Sequence, residues 1–173
     1  MTRPRRVLIA GISGAGKTTL ARKLSGRWEL PRCELDALHH GPEWVPRPEF
    51  AADVRRFIER DRWVTEDQYH RVLGDLLWEH ADTVIWLDLP RRTIMWRVIR
   101  RSVARCVTRR ELWNGNREHL REWLSPDHPI RWAWSQAEAR SRETAERAAR
   151  FPGVTLVHLR TAGEARRWFA EAS

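Results

Sequence analysis

Short apolar runs alternate with longer amphipathic segments along this chain. Apolar and β-branched residues fill positions 6–10 and 83–88 almost continuously, a pattern typical of strands buried on both faces of a parallel sheet. Weaker runs at 33–36, 62–66 and 154–158 indicate three more strands. The pattern therefore predicts a five-stranded sheet.

The segments between these runs carry apolar residues three or four positions apart, as amphipathic helices do. The predicted helices cover residues 18–28, 48–60, 72–80, 90–105, 130–150 and 164–172. Because strands alternate with helices, we expect a single α/β domain with a parallel sheet and helices on both faces.

The strongest motif is GISGAGKT at residues 11–18, placed between the first predicted strand and the first helix. This spacing in this context defines a P-loop, whose glycines let backbone N–H groups surround phosphate oxygens at a helix N-terminus. Lys17 is expected to reach the β- and γ-phosphates of ATP or a similar triphosphate, and the Thr18 hydroxyl to bind Mg²⁺. The predicted nucleotide contacts in this segment are Gly11, Ser13, Gly14, Ala15, Gly16, Lys17, Thr18 and Thr19.

The net charge of +9 suits an anionic ligand such as a nucleotide. Among the 32 basic residues only Lys17 and Lys23 are lysines, so one of the two occupies the position that a phosphate loop requires. The same charge would suit nucleic acid, but the sequence contains no helix-turn-helix or other reading motif. We therefore expect a small-molecule or nucleotide acceptor rather than nucleic acid.

Other features of the composition predict a cytoplasmic protein that acts as a monomer or homodimer. No apolar run approaches the roughly 20 residues of a membrane helix, and the run at 7–10 leads directly into the glycine loop. Cys33 and Cys106 lack the spacing of a zinc site or a disulfide framework.

Acidic residues lie at the ends of three predicted strands, the edge at which open α/β sheets bind ligands. Asp36 is a candidate base for an acceptor hydroxyl, or alternatively begins a loop as an Asx turn. Glu66 is a candidate for Mg²⁺-water or substrate contact, with an ordinary turn in which Asp67 caps a helix as the alternative. Asp88 is a candidate Mg²⁺ ligand, and it equally suits a cap for the helix that follows.

Four arginines at a spacing of four follow Asp88 on one predicted helix: Arg97, Arg101, Arg105 and Arg109. They form one stripe if the helix continues that far. Such a cluster is suited to neutralise charge on a transferring phosphoryl group, whereas a single arginine is more commonly a solvated surface residue. A basic stripe can also bind nucleic acid.

Several longer segments resemble the adenylate-kinase-like P-loop kinases, and among them the small FlaR-type proteins described as DNA topology modulation proteins or AAA family ATPases. The matching segments are residues 11–24, 35–50, 63–70, 81–105 and 109–118. The P-loop is shared widely, and the later segments are more specific to this group. Where members usually show Asp-Gly-Asn-Tyr, this chain has Glu66-Asp67-Gln68-Tyr69, which keeps an acid at 66 and adds a charge at 67.

The resemblance implies a P-loop three-layer sandwich with the strand order 2-3-1-4-5. It also implies a substrate-binding segment at about 37–60 and an arginine-bearing lid at about 105–127, with Arg101 and Arg105 acting on the phosphates. By position alone, the loop at 160–163 would pack on adenine through Thr161.

Two function classes follow from these observations. The first is an ATP- and Mg²⁺-dependent kinase that transfers the γ-phosphoryl group to a nucleotide or another small molecule, with Lys17, Asp36, Arg101 and Arg105 as catalytic residues. The second is a nucleotide-dependent regulatory or DNA-associated protein, and a weaker third reading is an NTPase without an acceptor. The sequence does not identify the acceptor, since pockets of one fold differ by a few side chains.

Overall fold

The computed structural model describes residues 3–108 and 129–172, and within these ranges the side chains of 102, 105–108 and 129–137 are not described. The strands are β1 (Arg6–Ala10), β2 (Trp63–Glu66), β3 (Thr83–Leu87) and β4 (Thr155–Leu159). The helices are α1 (Lys17–Trp28), α2 (Leu35–His39), α3 (Phe50–Ile58), α4 (His70–Leu73), α5 (Leu76–His80), α6 (Arg91–Thr108), α7 (Pro129–Arg150) and α8 (Ala162–Glu171), with a 3₁₀ turn at Pro42–Trp44.

The strands form one parallel sheet in the order β2-β1-β3-β4. The first strand lies inside the sheet, where Val7 pairs with Val64 on one side and Ile9 with Ile85 on the other. All four strands therefore point their carboxyl ends toward one edge, which is where the glycine loop begins.

The prediction of a fifth strand at 33–36 is wrong for the part of the chain that the structure describes, whereas the other four predicted strands lie in the predicted relative order, 3-1-4-5 in the numbering of the five-strand prediction. Arg32 forms a single parallel bridge with Val64 on the outer side of β2, and the chain then turns into α2. Leu35 and Leu38 explain the difference, because their spacing of three places both on one side of a helical turn. Leu35 is buried in the core and Leu38 packs against it.

The predicted helix at 72–80 is divided into α4 and α5 at Gly74. This glycine has φ 58° and ψ −130°, a conformation that a helix cannot contain and that glycine adopts more readily than other residues. The predicted helices at 18–28, 48–60, 90–105, 130–150 and 164–172 correspond to α1, α3, α6, α7 and α8 within a few residues.

Helices cover both faces of the sheet, as the sequence predicts. Val7 and Ile9 contribute to a core that includes residues of α1, α6 and α8. Leu8 and Ala10 point to the opposite face, where residues of α3, α5 and α7 pack. Among the described residues, no helix combines the length and apolar character that crossing a membrane requires.

Candidate nucleotide-binding site

The loop between β1 and α1 adopts a conformation that depends on three glycines. Gly11, Gly14 and Gly16 have φ values of 137°, 87° and 103°, all in the region that side-chain-bearing residues rarely occupy. Gly16 is the N-cap of α1 and has no side chain to cap the helix. The N–H groups of the first turn, which helix geometry leaves without intrahelical acceptors, therefore face the loop and can bind an anion.

Gly14 also allows α6 to approach the loop closely, so we expect Gly14→Ala to destabilise the protein. An added Cβ would lie 2.4 Å from Val98 Cγ2, and the positive φ would be strained in alanine. Together these effects should lower the free energy of unfolding by about 1–3 kcal/mol, measured by urea denaturation. Gly26→Ala in α1 is the matched control, because its Cβ would meet nothing within 4 Å and alanine favours the helix. If both variants are equally stable, the contact between Gly14 and α6 is not tightly packed.

Lys17 begins α1 and is almost completely buried beneath the loop. Its Nζ donates a hydrogen bond to the Gly11 carbonyl oxygen at 2.7 Å. Burial lowers the pKa of this amine, while the nearby carboxylates of Glu66, Asp36 and Asp67 oppose that effect. The position combines a buried cation with the loop that would surround phosphates, as the motif predicts.

Thr18 and Glu66 meet beside Lys17. The Thr18 hydroxyl donates a hydrogen bond to Glu66 Oε2 at 3.1 Å, and Glu66 is 3% exposed at the end of β2. Burial raises the pKa of Glu66, an effect that the charge of Lys17 and the Thr18 hydroxyl oppose. Two of the three predicted metal ligands, which are 48 residues apart in sequence, are thus in direct contact.

Asp88 follows β3 on the other side of β1, where its carboxylate has two protein partners. Ser141 of α7 donates to Oδ1 at 3.0 Å, and His158 Nε2 lies 3.0 Å from Oδ2. The His158 ring stacks on Trp86 with centroids 3.9 Å apart. A small cleft separates Asp88 from Gly11, and its role as a metal ligand stays a prediction.

Two arginines of α6 contact the loop from outside. Arg101 Nη2 donates to Ser13 Oγ at 3.3 Å, which places this predicted residue against the phosphate loop. Arg97 Nη1 donates to the Ala15 carbonyl oxygen at 2.9 Å. Arg97 belongs to the predicted arginine stripe but not to the predicted site residues; its position one turn before Arg101 is the signal in the sequence that indicates it.

The side chains of Arg105 and Arg109, the other two residues of the predicted arginine stripe, are not described. The backbone of Arg105 belongs to α6, but its side chain is not described, and residues 109–128, which include most of the predicted lid at 105–127, are not described either. The roles of Arg105 and of the lid stay predictions.

Asp36 lies in the first turn of α2, where its charge interacts with that of Lys17. Its Oδ1 accepts a hydrogen bond from the Tyr69 hydroxyl at 2.6 Å. Sequence analysis did not assign a role to Tyr69, which lies 33 residues from Asp36 and is brought to it by the turn after β2. Its place three residues beyond Glu66, near the strand end, could have indicated it.

Aromatic side chains of the predicted substrate segment at 37–60 pack around Tyr69. His39 stacks on Tyr69, and Phe50 lies edge-on to both rings. Burial and the neighbouring His40 lower the pKa of His39, an effect that Asp36 opposes, so this environment favours the neutral imidazole. Glu43 and Trp44 have φ values of 55° and 62°, so the segment includes a strained turn of the kind found at functional sites.

Helix α7 contributes arginines that the sequence analysis did not select. Arg147 is buried and lies within 4 Å of carboxylate oxygens of Asp67, Asp75 and Glu143. Burial raises the pKa of Asp67 to about 6, and the charge of Arg147 opposes that rise. Arg140, two turns earlier, lines the cleft beside Asp88 and pairs with Glu143 at 2.7 Å.

Thr161 is the N-cap of α8. Its Oγ1 accepts a hydrogen bond from the Glu164 backbone N–H at 3.1 Å, and Glu164 accepts one from the Arg160 N–H in return. This capping box gives the Thr161 side chain a structural role as a helix cap. The contact of Thr161 with adenine stays a prediction.

A P-loop at the carboxyl edge of a parallel sheet, with arginines from the helix after β3, defines the fold class of the P-loop kinases. No protein-family model matches the sequence, and no curated protein matches it. Solved structures of similar fold are shikimate kinase from Acinetobacter baumannii in complex with shikimate, and a gluconokinase from Sinorhizobium meliloti.

The shikimate kinase aligns with a TM-score of 0.61 at 16% identity, over 98% of this chain and 90% of its own. The gluconokinase aligns with a TM-score of 0.55 at 19% identity, over 98% of this chain and 94% of its own. A shikimate kinase from Aquifex aeolicus has a TM-score of 0.50 at 12% identity, over 96% and 92% of the two chains. At these identities the likeness establishes the fold and leaves the activity to the site itself.

Proposed function

We propose that this protein is an ATP-dependent kinase that transfers the γ-phosphoryl group to a hydroxyl group of a small molecule. The observation that carries the proposal is that Asp36 of α2 lies close enough to Lys17 for the two charges to interact. A bare NTPase needs the loop, Lys17 and a metal site, but it does not need a carboxylate in an aromatic acceptor segment.

The residues present fit Mg²⁺. The Thr18 hydroxyl and the Glu66 carboxylate are oxygen donors in contact with each other, and such donors are what Mg²⁺ prefers. A divalent cation would also offset the burial that raises the pKa of Glu66. Bound there, Mg²⁺ would neutralise charge on the β- and γ-phosphates. Among the described residues no group of three or more histidine, cysteine or carboxylate side chains forms a protein-only metal site, so the phosphates would complete the coordination.

The cations of the site surround the loop from two directions. Lys17 lies beneath it and would leave the Gly11 carbonyl oxygen for phosphate oxygens. Arg97 and Arg101 approach it from α6, and their guanidinium groups donate to the Ala15 carbonyl oxygen and to Ser13 Oγ. Once Lys17 has moved to the phosphates, these three cations would stabilise the additional negative charge of the transition state.

Asp36 would accept the proton of the acceptor hydroxyl. Proton transfer to a positioned carboxylate makes the hydroxyl oxygen a better nucleophile toward phosphorus. The solved structures of similar fold are named for acceptors with hydroxyl groups, shikimate and gluconate among them. These compounds therefore belong in the first test, although they do not identify the acceptor of this chain.

ATP with Mg²⁺ should raise the melting temperature of the protein. A ligand that binds only the native state stabilises it by about 2.7 kcal/mol at a concentration of 100 times its Kd. Thermal unfolding with ATP, GTP or ADP, each with Mg²⁺ or with a chelator, measures the effect. Lys17→Ala is the control in which the shift should disappear. If none of the nucleotides moves the native melting curve, nucleotide binding is disproved.

An acceptor screen tests the kinase activity itself. Purified protein with ATP and Mg²⁺ is mixed with shikimate, gluconate, neutral sugars, nucleosides or nucleoside monophosphates, and ADP release is measured. We expect one class to exceed the rate with water alone, and the excess to vanish in Asp36→Asn. A gel shift with duplex DNA runs beside the screen. Tight, sequence-specific DNA binding at physiological salt, with no acceptor above the water rate, would instead support a DNA-associated protein.

The narrower resemblance to the FlaR-type proteins is also part of this proposal. It rests on the segments quoted above, and the solved structures support only the wider kinase fold. Neither the acceptor screen nor the melting experiment depends on it.

A further inference from the structure

Tyr69 is the single tyrosine of the chain, and it joins the end of β2 to the segment that contains Asp36. Its hydroxyl donates to Asp36 Oδ1 at 2.6 Å and lies 3.1 Å from His40 Nε2. Its ring stacks on His39, with centroids 4.1 Å apart and planes 24° apart. The ring is also edge-on to Phe50 at 5.0 Å. Both the ring and the hydroxyl are therefore held from several sides.

The single proton of the phenol fixes the direction of these hydrogen bonds. A carboxylate only accepts, so the phenol proton points to Asp36. The phenol oxygen then accepts from His40, which places a proton on the Nε2 atom of that imidazole. The result is a directed chain from His40 through Tyr69 to Asp36, which leaves Asp36 Oδ2 as the carboxylate oxygen available to an acceptor.

The backbone of Tyr69 is held in a conformation that bulky residues avoid. Its φ of 59° and ψ of 36° lie in the left-handed region, where a side chain is unfavourable. Such strain persists only where the surrounding contacts over-determine it, and it is concentrated at functional sites. Here the strained turn directs the phenol toward Asp36 immediately after β2 ends.

We propose that Tyr69 is a positioning residue for phosphoryl transfer, because its hydroxyl fixes the Asp36 carboxylate so that Oδ2 faces the acceptor. The inference rests on the proposed kinase function. In the step, the acceptor O–H bond breaks and its proton passes to Asp36 Oδ2, while the acceptor oxygen bonds to the γ-phosphorus of ATP. The bond from that phosphorus to the β–γ bridging oxygen breaks, and ADP leaves. Tyr69 keeps its own proton throughout.

Tyr69→Phe tests the role with the smallest change. The ring contacts with His39 and Phe50 remain and only the hydroxyl is removed. We expect kcat to fall about ten- to a hundredfold, the range for losing a hydrogen bond to a charged group, while KM for ATP stays within twofold. A purely structural role would lower stability and leave kcat per folded molecule unchanged.

The acceptor in this assay is the fastest compound of the screen, or water if no compound exceeds it. Ser25→Ala is the matched control, since it removes a hydroxyl that donates at 2.7 Å to the Leu30 carbonyl oxygen, away from the site. It should leave kcat unchanged. If Tyr69→Phe turns over like the native protein, the positioning role is overturned while the kinase function stands.

A spectroscopic measurement tests the contact without any turnover. Because the chain has one tyrosine, carbon-13 labelling at Cζ gives a single resonance that reports ionisation of this phenol. The groups that face it are the carboxylates of Asp36 and Glu66 and the imidazoles of His39 and His40. Burial, followed by the charge and hydrogen bond of Asp36, raises the pKa of Tyr69.

Asp36→Asn should therefore move the alkaline transition of this resonance to lower pH, whereas the exposed Glu79→Gln should not. An unchanged transition in Asp36→Asn would disprove the contact and with it the inference. If the native protein shows no nucleotide-dependent turnover above Lys17→Ala, the kinase function fails. The comparison of kcat values then has no activity to measure. In that case the positioning role is rejected, even if the resonance confirms the contact between Tyr69 and Asp36.

Discussion

Lys17→Ala should remove ATP binding or turnover, with a loss on the order of a hundred- to a thousandfold or more. The amine is buried below the loop at 6% exposure and donates to the Gly11 carbonyl oxygen, so no other described cation occupies its place. Its removal would also take away a positive charge that interacts with the carboxylates of Glu66 and Asp36. Turnover is measured as ADP release, and ATP affinity by calorimetry.

Lys23→Ala is the matched control for this substitution. Lys23 is the only other lysine, lies on the same helix and is exposed. Its removal should change neither affinity nor turnover. A Lys17→Ala protein that unfolds cooperatively and retains the native ATP turnover would contradict the assignment of the loop.

Arg101→Ala and Arg97→Ala should each lower turnover on the order of a thousandfold, while ATP affinity changes much less. Cations that act on a transferring phosphoryl group have effects of this size. A residue that acts mainly in the transition state affects the rate more than ground-state binding. Both guanidinium groups already contact the loop, at Ser13 Oγ and the Ala15 carbonyl oxygen.

Arg100→Ala on the exposed side of α6 is the control, because it removes a charge from the same helix without a contact to the loop. It should behave like the native protein. If Arg97→Ala and Arg101→Ala behave like Arg100→Ala, these arginines serve only to hold the loop and the helix together. Arg105→Ala belongs in the same series, as the predicted residue one turn beyond Arg101.

The sequence was sufficient to predict a glycine loop between β1 and α1, because the motif that indicates it lies within eight consecutive residues. Phosphate binding by this loop stays a prediction. The apolar strand before Gly11, the glycines and the helix after Gly16 are local features, and local backbone preferences determine them. The strands β1 and β3 were predicted for a similar reason, since continuous apolar runs are typical where both faces of a parallel sheet are covered, and the weaker runs at 62–66 and 154–158 also form strands, β2 and β4.

The sequence was insufficient where two local structures compete. The alternation at 33–36 favours a strand, whereas Leu35 and Leu38 favour a helical turn; the burial of Leu35 against α3 decides for the helix. At 72–80 apolar spacing predicts one helix, and Gly74 divides it. Such short segments have too few contacts of their own to determine their structure.

Contacts between distant residues were decided by the tertiary structure alone. The Tyr69 phenol reaches Asp36, and Arg97 reaches the Ala15 carbonyl oxygen, across 33 and 82 residues of chain. The sequence separation of the two residues does not indicate a contact in either pair. The distance between two side chains on different elements depends on strand register and helix packing. Parallel pairing of β1 with β2 places Glu66 beside the start of α1, and packing of Val98 against Gly14 brings α6 to the loop.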